Sequence, residues 1–234
     1  MQIFYTPEIN GMEYFLSEDE SKHAIRVLRM NEGDPIYLVD GKGTFFEGVI
    51  ANAHPKKCQI IVQKIIEDYE KRNYFIHIAI SPLKHPDRFE WFLEKATEIG
   101  IDAITPLFCK RTEKKSFNME RSNRIIESAM KQSIKAFHPV LNPLTKFDDL
   151  INRAGEEVKM VACCEGERQL IRDCYQPGQK ALILIGPEGD FTEEEMISAK
   201  NTDFIPVTLG NSRLRTETAG VAACHSIQFL NLKP

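Results

Sequence analysis

The chain has 234 residues, of which 42% are hydrophobic, and this composition can fill the core of one large or two modest domains. No apolar run approaches the roughly 18 residues that span a bilayer, and residues 1–7 lack a basic region followed by an apolar stretch. We therefore expect a cytoplasmic protein with no membrane partner. The six cysteines form no CxxC pair, which favours small buried side chains and no metal site. A net charge of −4 excludes a nucleic-acid binder unless its lysines and arginines are clustered.

Residues 1–67 have a mostly β pattern that resembles a small barrel. Apolar residues alternate over 36–39 and occur again at 49–50. The sequence Asp40-Gly41-Lys42-Gly43 between these two segments is a strong hairpin signal. The first third of the chain is therefore predicted to be built from antiparallel strands.

One helix interrupts these strands. Ser17 followed by Glu20 is a capping-box signature, and Gly33 ends the apolar segment that follows. A basic stripe lies along one predicted face of the helix and consists of Lys22, Arg26 and Arg29. The stripe is either an ordinary solvated helix face or a surface for phosphate groups.

The polar run at residues 67–73 predicts a linker, which places the domains at residues 1–70 and 71–234. After the linker, short apolar runs alternate with longer helical patterns, as is typical of an α/β fold with a mostly parallel sheet. The predicted strands are residues 75–80, 103–108, 158–163, 182–185 and 204–209, and the predicted helices are residues 88–99, 121–137, 193–200 and 216–230. Asp87 and Thr192 are predicted helix caps, and Gly100 is a predicted helix end.

Two glycine-bearing loops directly follow predicted strands. They are Gly186-Pro187-Glu188-Gly189-Asp190 and the longer segment at residues 210–218. In a parallel α/β sheet a ligand lies beyond the carboxyl ends of the strands, and glycine lets the backbone come close to it. Neither loop fits GxGxxG or GxxxxGK[ST], so a dinucleotide or a triphosphate is not indicated.

Taken together, these segments resemble the 16S rRNA uridine-N3 methyltransferase family of the SPOUT superfamily. The most specific match is Leu214-Arg215-Thr216-Glu217-Thr218-Ala219, which occurs with Leu184-Ile185-Gly186-Pro187-Glu188-Gly189 and Leu209-Gly210. Matches in the expected order also occur at residues 23–29, 40–43, 94–100 and 132–133. The resemblance therefore extends along most of the chain.

The resemblance implies a PUA-like β-barrel domain for RNA, followed by a SPOUT-type parallel sheet with a C-terminal trefoil knot. It also implies a homodimer that methylates N3 of uridine 1498 in 16S rRNA of the small ribosomal subunit, with S-adenosylmethionine as cofactor and no metal. The same fold allows methylation at another rRNA or tRNA position, at a 2′-hydroxyl or at guanine N1. An RNA-binding dimer without catalytic activity is the alternative from another functional class.

The family motifs also imply two sets of site residues. The cofactor would be held by Ile185, Gly186, Pro187, Glu188, Gly189, Leu209, Gly210, Leu214, Arg215, Thr216, Thr218 and Ala219. The expected RNA contacts are Lys22, His23, Arg26 and Arg29 in the first domain and Lys110, Arg111, Lys114 and Lys115 in the second.

The chain departs from the family pattern at several positions. Asp190 stands where a second glycine is usual, so a positive φ there would have to be adopted by Asp, one of the few residues that can do so. Arg213 replaces a residue that is more often aliphatic, and Lys131 and Lys135 flank Gln132-Ser133 where Glu and Arg are more usual. These changes leave the expected fold and cofactor unaffected.

Methylation at N3 requires a group that accepts the N3 proton. Glu217 is the candidate base, with Glu188 as the second choice, and Arg215 is the candidate cation for charge developing on the uracil oxygens. The alternative for Glu217 is a structural role, because a carboxylate in the first turn of a helix is favourable by roughly 0.3–1 kcal/mol.

Overall fold

A computed structural model describes residues 1–114 and 116–232 of the chain. They divide into two compact units. The first contains Met1–Lys71 together with Met130–His138, and the second contains the other described residues. Within the described residues there is no helix that combines the length and apolar character needed to cross a membrane.

The first unit is a curled sheet of five strands in the order β1-β3-β4-β5-β2. Its elements are β1 (Ile3–Tyr5), β2 (Glu13–Phe15), α1 (Glu18–Lys22), β3 (Pro35–Val39), β4 (Phe45–Asn52) and β5 (Gln59–Ile66). β1 is parallel to β3, and the other pairs are antiparallel. The predicted β content is confirmed. Instead of a closed barrel, however, β1 and β2 end the strand order, and among the described residues no pairing joins them.

The predicted hairpin between β3 and β4 is confirmed. Asp40 Oδ1 accepts hydrogen bonds from the backbone amides of Lys42 at 2.7 Å and Thr44 at 2.9 Å. Asp side chains commonly stabilise turns in this way, because they replace backbone carbonyls as acceptors. The short-range signal in the sequence was therefore sufficient to place this turn.

The predicted helix after Ser17 is shorter and less regular than expected. Ser17 does cap α1 by accepting from the amide of Glu20 at 3.3 Å, but the Glu20 carboxylate binds Lys131 Nζ at 2.9 Å. A π-helical segment, His23–Val27, continues α1, and Arg29 has a φ of 57°. The three residues of the predicted basic stripe therefore do not share one regular helix, because Lys22 ends α1, Arg26 lies in the wider π-helical turn and Arg29 follows it.

The second unit is a parallel sheet with helices on its faces. Its strands are β6 (Phe75–Ile80), β7 (Ala103–Phe108), β8 (Val140–Leu141), β9 (Thr145–Lys146), β10 (Val158–Ala162), β11 (Gln169–Leu170), β12 (Lys180–Ile185) and β13 (Ile205–Thr208). Its helices are α2 (Pro86–Ile99), α3 (Met119–Gln132), α4 (Phe147–Arg153), α5 (Ile171–Cys174), α6 (Glu193–Asn201) and α7 (Thr216–Leu230), although the last three residues of α3 belong to the first unit. The strand order is β11-β13-β10-β12-β6-β7-β8, and β9 pairs with β7.

The helix ends show which capping signals were decisive. Thr192 begins α6 with a complete capping box to Glu195, and Gly100 ends α2, both as predicted. The prediction of Asp87 as a cap is wrong, because Pro86 already occupies the first helical turn and His85 is the N-cap. α3 ends at Gln132 instead of 137, since Ile134 has a φ of 57°.

The core lies on both faces of the second sheet. One face includes Ile76 and Ile78 of β6 and packs against α2 and α7, whereas the opposite face carries Leu182 and Leu184 of β12. α7 approaches closely at Gly220, where a Cβ atom would lie 2.7 Å from the Phe92 ring. A glycine at this position therefore lets α2 and α7 pack together at the end of the sheet.

Candidate active site

The carboxyl ends of the central strands meet at one edge of the second sheet. The last residue of β6, Ile80, is in register with Ile185 at the end of β12, which in turn pairs with Ala162 at the end of β10. The loops that leave these strands therefore start side by side. This is the edge at which parallel α/β sheets bind ligands.

The loop at residues 186–191 leaves the central strand β12. Asp190 adopts a φ of 60°, so the expectation that Asp would accept a left-handed turn here is confirmed. Its Oδ2 accepts from the amide of Cys164 at 3.1 Å, and its Oδ1 accepts from the amide of Phe191 at 2.8 Å. Asp190 thus ties this loop to the loop after β10. A glycine at this position could not do so.

The loop is also held from the side of β7. Arg111 Nη1 donates to the carbonyl oxygens of Gly189 at 2.6 Å and Phe191 at 3.3 Å. The amide of Lys110 donates to Glu195 Oε1 at 2.7 Å, and its ammonium pairs with Glu194. Two of the predicted RNA contacts are therefore engaged inside the second unit.

Of the two remaining predicted RNA contacts in this unit, Lys114 is half-buried and Lys115 lies outside the described residues. The side chain of Lys114 makes no ion pair within 4.0 Å among the residues that the structure covers.

The second glycine loop leaves β13 and leads into α7. Gly210 has a φ of 128°, a conformation that side-chain-bearing residues rarely adopt, and its carbonyl accepts from the Thr208 hydroxyl at 2.9 Å. Arg215 is the exposed N-cap of α7. The start of α7 lies beside the end of β6, because a Cβ on Gly220 would be 2.9 Å from Ile80 Cδ1. The sheet register therefore brings α7 next to the loop after β12.

Glu217 lies in the first turn of α7, and its side chain is only 9% exposed. Its Oε1 is 3.9 Å from Nε of Arg88 at the start of α2, and the carboxylate makes no hydrogen bond to any other described residue. The buried carboxylate therefore keeps its lone pairs available and faces one cation. Sequence reasoning missed Arg88, although a cation in the first turn of the helix that follows β6 could have indicated a residue at this edge of the sheet.

The predicted cofactor residues differ in exposure. Ile185, Gly186, Pro187 and Thr216 are buried, Leu209, Leu214, Thr218 and Ala219 are half-buried, and Glu188, Gly189, Gly210 and Arg215 are exposed. Below this edge, Ser81 Oγ and Thr112 Oγ1 are 2.8 Å apart, and Thr112 Oγ1 accepts from the amide of Cys109 at 2.9 Å. These bonds connect the loops after β6 and β7, and no sequence pattern predicts them.

Of the four predicted RNA contacts of the first unit, Lys22 lies on α1, His23 and Arg26 lie on the π-helical segment, and Arg29 follows that segment. Lys22 Nζ pairs with the Glu18 carboxylate at 2.9 Å, and His23 Nε2 lies 2.9 Å from the side-chain nitrogen Nε2 of Gln2. Arg26 and Arg29 are exposed and form no ion pair within 4.0 Å in the described part of the chain. These two arginines are therefore the cations of the stripe that can reach a ligand.

A cavity of about 530 Å³ opens at the opposite, amino edge of the second sheet. Its floor holds His77, whose Nδ1 is 2.6 Å from Glu156 Oε1 and whose Nε2 is 2.7 Å from Thr105 Oγ1. Burial alone would raise the pKa of Glu156, but the hydrogen bond and charge of His77 lower it below its usual value. This satisfied network joins β6, β7 and the loop before β10, at the edge opposite the glycine loops.

Comparisons with known proteins agree with this architecture. The family described as RNA methyltransferase domain matches residues 70–228, and the family described as RNA methyltransferase PUA domain matches residues 16–63. The chain is 28% identical to the ribosomal RNA small subunit methyltransferase E of Bacillus subtilis, over 92% of this chain and 90% of that protein.

Two solved structures are similar along nearly the whole chain. A probable rRNA-methyltransferase from Porphyromonas gingivalis is 41% identical, with a TM-score of 0.93 and coverage of 99% of this chain and 98% of that one. A ribosomal RNA small subunit methyltransferase E from Neisseria gonorrhoeae, solved bound to S-adenosyl methionine, is 27% identical, with a TM-score of 0.90 and coverage of 98% of each chain. The chain belongs to the RNA methyltransferase family that includes the ribosomal RNA small subunit methyltransferases E.

Proposed function

We propose that this protein transfers a methyl group from S-adenosylmethionine to N3 of a uridine in 16S rRNA of the small ribosomal subunit, at position 1498. The observation that carries this proposal is the family match over both parts of the chain, together with two glycine loops that follow β12 and β13. The N-terminal domain, residues 1–70, binds RNA. The C-terminal domain, residues 71–234, carries out the transfer.

The residues at the carboxyl edge fit S-adenosylmethionine. A Cβ on Gly186 would lie 3.1 Å from the Phe191 ring, a tight contact, and the exposed Gly189 and Gly210 leave backbone open to a ligand. Buried apolar residues beside them exclude water. We assign the cofactor to Ile185, Gly186, Pro187, Glu188, Gly189, Leu209, Gly210, Leu214, Arg215, Thr216, Thr218 and Ala219.

The chemical task of the chain's own residues is to remove the proton from uridine N3. S-adenosylmethionine supplies an electrophilic methyl group, and the uridine N3 must lose its proton as the new N–C bond forms and the S–C bond breaks. Glu217 accepts this proton, since its buried carboxylate carries no hydrogen bond from other described residues. Arg88 holds the carboxylate in place, and Arg215 stabilises negative charge on the uracil oxygens.

Three further features belong to the same proposal. The last helix passes through a loop to form a trefoil knot, and the enzyme acts as a homodimer in the cytoplasm. The exposed Trp91 of α2 and Phe229 of α7 support the dimer, because large exposed apolar side chains often mark an interface. RNA is contacted by Lys22, His23, Arg26, Arg29, Lys110, Arg111, Lys114 and Lys115. Within the basic stripe, the exposed Arg26 and Arg29 form no ion pair with a described residue.

The test is single-turnover methylation of 16S rRNA and of small subunits with labelled S-adenosylmethionine, followed by mass spectrometry of the modified nucleoside. Wild-type protein should produce one N3-methyluridine. Glu217→Gln should lower the rate at neutral pH while cofactor affinity stays within a few-fold. The matched control is Glu193→Gln, an exposed carboxylate at the start of α6 that should leave the rate unchanged.

Each result has a defined meaning. No methyl transfer together with no binding of S-adenosylmethionine by calorimetry would contradict the enzymatic function and leave an RNA-binding protein. Normal transfer by the Glu217→Gln variant would remove Glu217 from the mechanism and shift the role of base to Glu188.

A further inference from the structure

Two exposed residues, Phe15 and Asn52, and the half-buried Gln59 form a row across the sheet of the first unit. Phe15 on β2 is in register with Gln59 on β5, and Gln59 is in register with Asn52 at the end of β4. Register partners on adjacent strands point to the same face, with Cβ atoms about 4.5–5.5 Å apart. The alternate row, which includes Ile50 and Ile60, is buried. A β-bulge between Ile50 and Asn52 shifts the register, so that Asn52 lines the same cavity as Phe15 and Gln59 instead of following Ile50 into the core. One aromatic ring and two amides therefore lie side by side.

A basic loop closes one end of this row. His54 and Lys57 line a cavity of about 260 Å³ together with the three residues of the row, and Lys57 Nζ lies 4.5 Å above the centre of the Phe15 ring. Neither Lys57 nor its neighbour Lys56 forms an ion pair within 4.0 Å among the described residues. The site thus offers an aromatic ring beside Lys57, a cation that no carboxylate of the described residues neutralises, and Lys56 is its neighbour in sequence.

The two amides retain hydrogen-bonding capacity. Gln59 Nε2 donates to Glu13 Oε1 at 2.6 Å, which leaves the Gln59 oxygen as an acceptor. The Asn52 side chain makes no hydrogen bond within the part of the chain that the structure describes, so it offers both a donor and an acceptor. An edge that carries both donors and acceptors, such as that of a nucleobase, is complementary to this pair.

We propose that the row of Phe15, Gln59 and Asn52 binds an unpaired nucleotide of the RNA substrate. The base stacks on Phe15 and presents its edge to Asn52 and Gln59, and Lys57 moves from the ring to the neighbouring phosphate. Proteins recognise single-stranded RNA with this combination of aromatic stacking, polar contacts to base edges and cations along the backbone. The inference rests on the proposed function for the presence of RNA, but it assigns a site separate from α1 and the π-helical segment.

The test measures binding of fluorescein-labelled single-stranded RNA, about ten nucleotides long, to the full-length protein by anisotropy. Phe15→Ala should weaken binding about 5- to 150-fold, which corresponds to about 1–3 kcal/mol for one stacked base. Phe15→Trp should bind at least as tightly as wild type. Asn52→Ala should change the preference between oligonucleotides of different base composition. Lys57→Gln should reduce the dependence of RNA affinity on salt concentration by the amount expected for about one phosphate contact.

Met12→Ala is the matched control, because Met12 is an exposed apolar residue that lies just before β2 and outside the row. This variant should bind RNA like wild type. Cofactor affinity and melting temperature should be unchanged in all variants, since Phe15 is 41% exposed and its loss leaves the core intact. Unchanged RNA affinity of Phe15→Ala would overturn the inference, even if wild-type protein methylates rRNA. Equal losses for Phe15→Ala and Met12→Ala would also overturn it.

Discussion

Replacement of Gly220 by Ala tests the close packing of α7 against α2. The added Cβ would lie 2.7 Å from two ring carbons of Phe92 and 2.9 Å from Cδ1 of Ile80. Both neighbours are fully buried and cannot move aside without displacing other core residues. Alanine gains about 1 kcal/mol of helix propensity over glycine, whereas overpacking costs about 1–3 kcal/mol. Because the distances fall below 3.0 Å, we expect a steric cost of about 2–3 kcal/mol, in the upper part of that range, and therefore a net loss of about 1–2 kcal/mol.

Thermal unfolding measures this effect directly. For a chain of this size about 1 kcal/mol lowers the melting temperature by about 2–4 °C, so Gly220→Ala should melt about 2–8 °C below wild type. Methyl transfer should fall as well, since Glu217 lies one turn before Gly220 on the displaced helix. Gly155→Ala is the control, because its Cβ would meet open space. A melting temperature at or above the wild-type value, with normal activity, would refute the packing argument.

Three other predictions follow from single contacts. Arg111→Met should weaken binding of S-adenosylmethionine, about tenfold for each 1.4 kcal/mol lost, and calorimetry should show no such change for Lys114→Met on the same loop. The pKa of Glu156 is lowered in the folded protein, so the stabilisation from its carboxylate is present above the ordinary value of 4.5 and is lost as the pH falls through the folded pKa. In denaturant titrations, the free energy of unfolding of Glu156→Gln should therefore decrease less on acidification than that of wild type. A thiol reagent at neutral pH should modify the exposed Cys164 first and spare Cys224, because burial raises the pKa of Cys224 to about 12; the reverse order would contradict the burial of Cys224.

Elements whose signals are local were predicted correctly. Strand β6 and helix α7 have the predicted bounds, and the Thr192 capping box and the turn at Asp40 form as expected. In each case the periodicity or the hydrogen bond involves residues only a few positions apart. The left-handed conformation of Asp190 was expected from the family resemblance, since glycine is usual at this position, and Asp adopts it readily. Such features need no knowledge of the rest of the molecule.

Sequence reasoning failed where a side chain binds a residue that is distant in the sequence. Glu20 should have closed a capping box, but its carboxylate binds Lys131, a residue far away in sequence. The hydrogen bond from the Arg111 guanidinium to the Gly189 carbonyl, across 78 positions of the chain, was not foreseen either. The short strands β8, β9 and β11 have only two residues each, too few for a pattern to be visible. All of these depend on partners that a sequence window does not contain.

The family, the order of the main strands and helices, and the two glycine loops could be read from the residues alone, since motif spacing and hydrophobic periodicity are properties of the chain itself. Which loops start side by side was decided by the strand order, which places β12 between β10 and β6 and separates it from β13 by β10. That order brings Arg88 to Glu217 and Cys164 to Asp190. In the first unit, the register of a separate sheet aligns Phe15, Gln59 and Asn52. Strand pairing joins residues that are distant in sequence, and its register follows from burying one face of each strand against a common core.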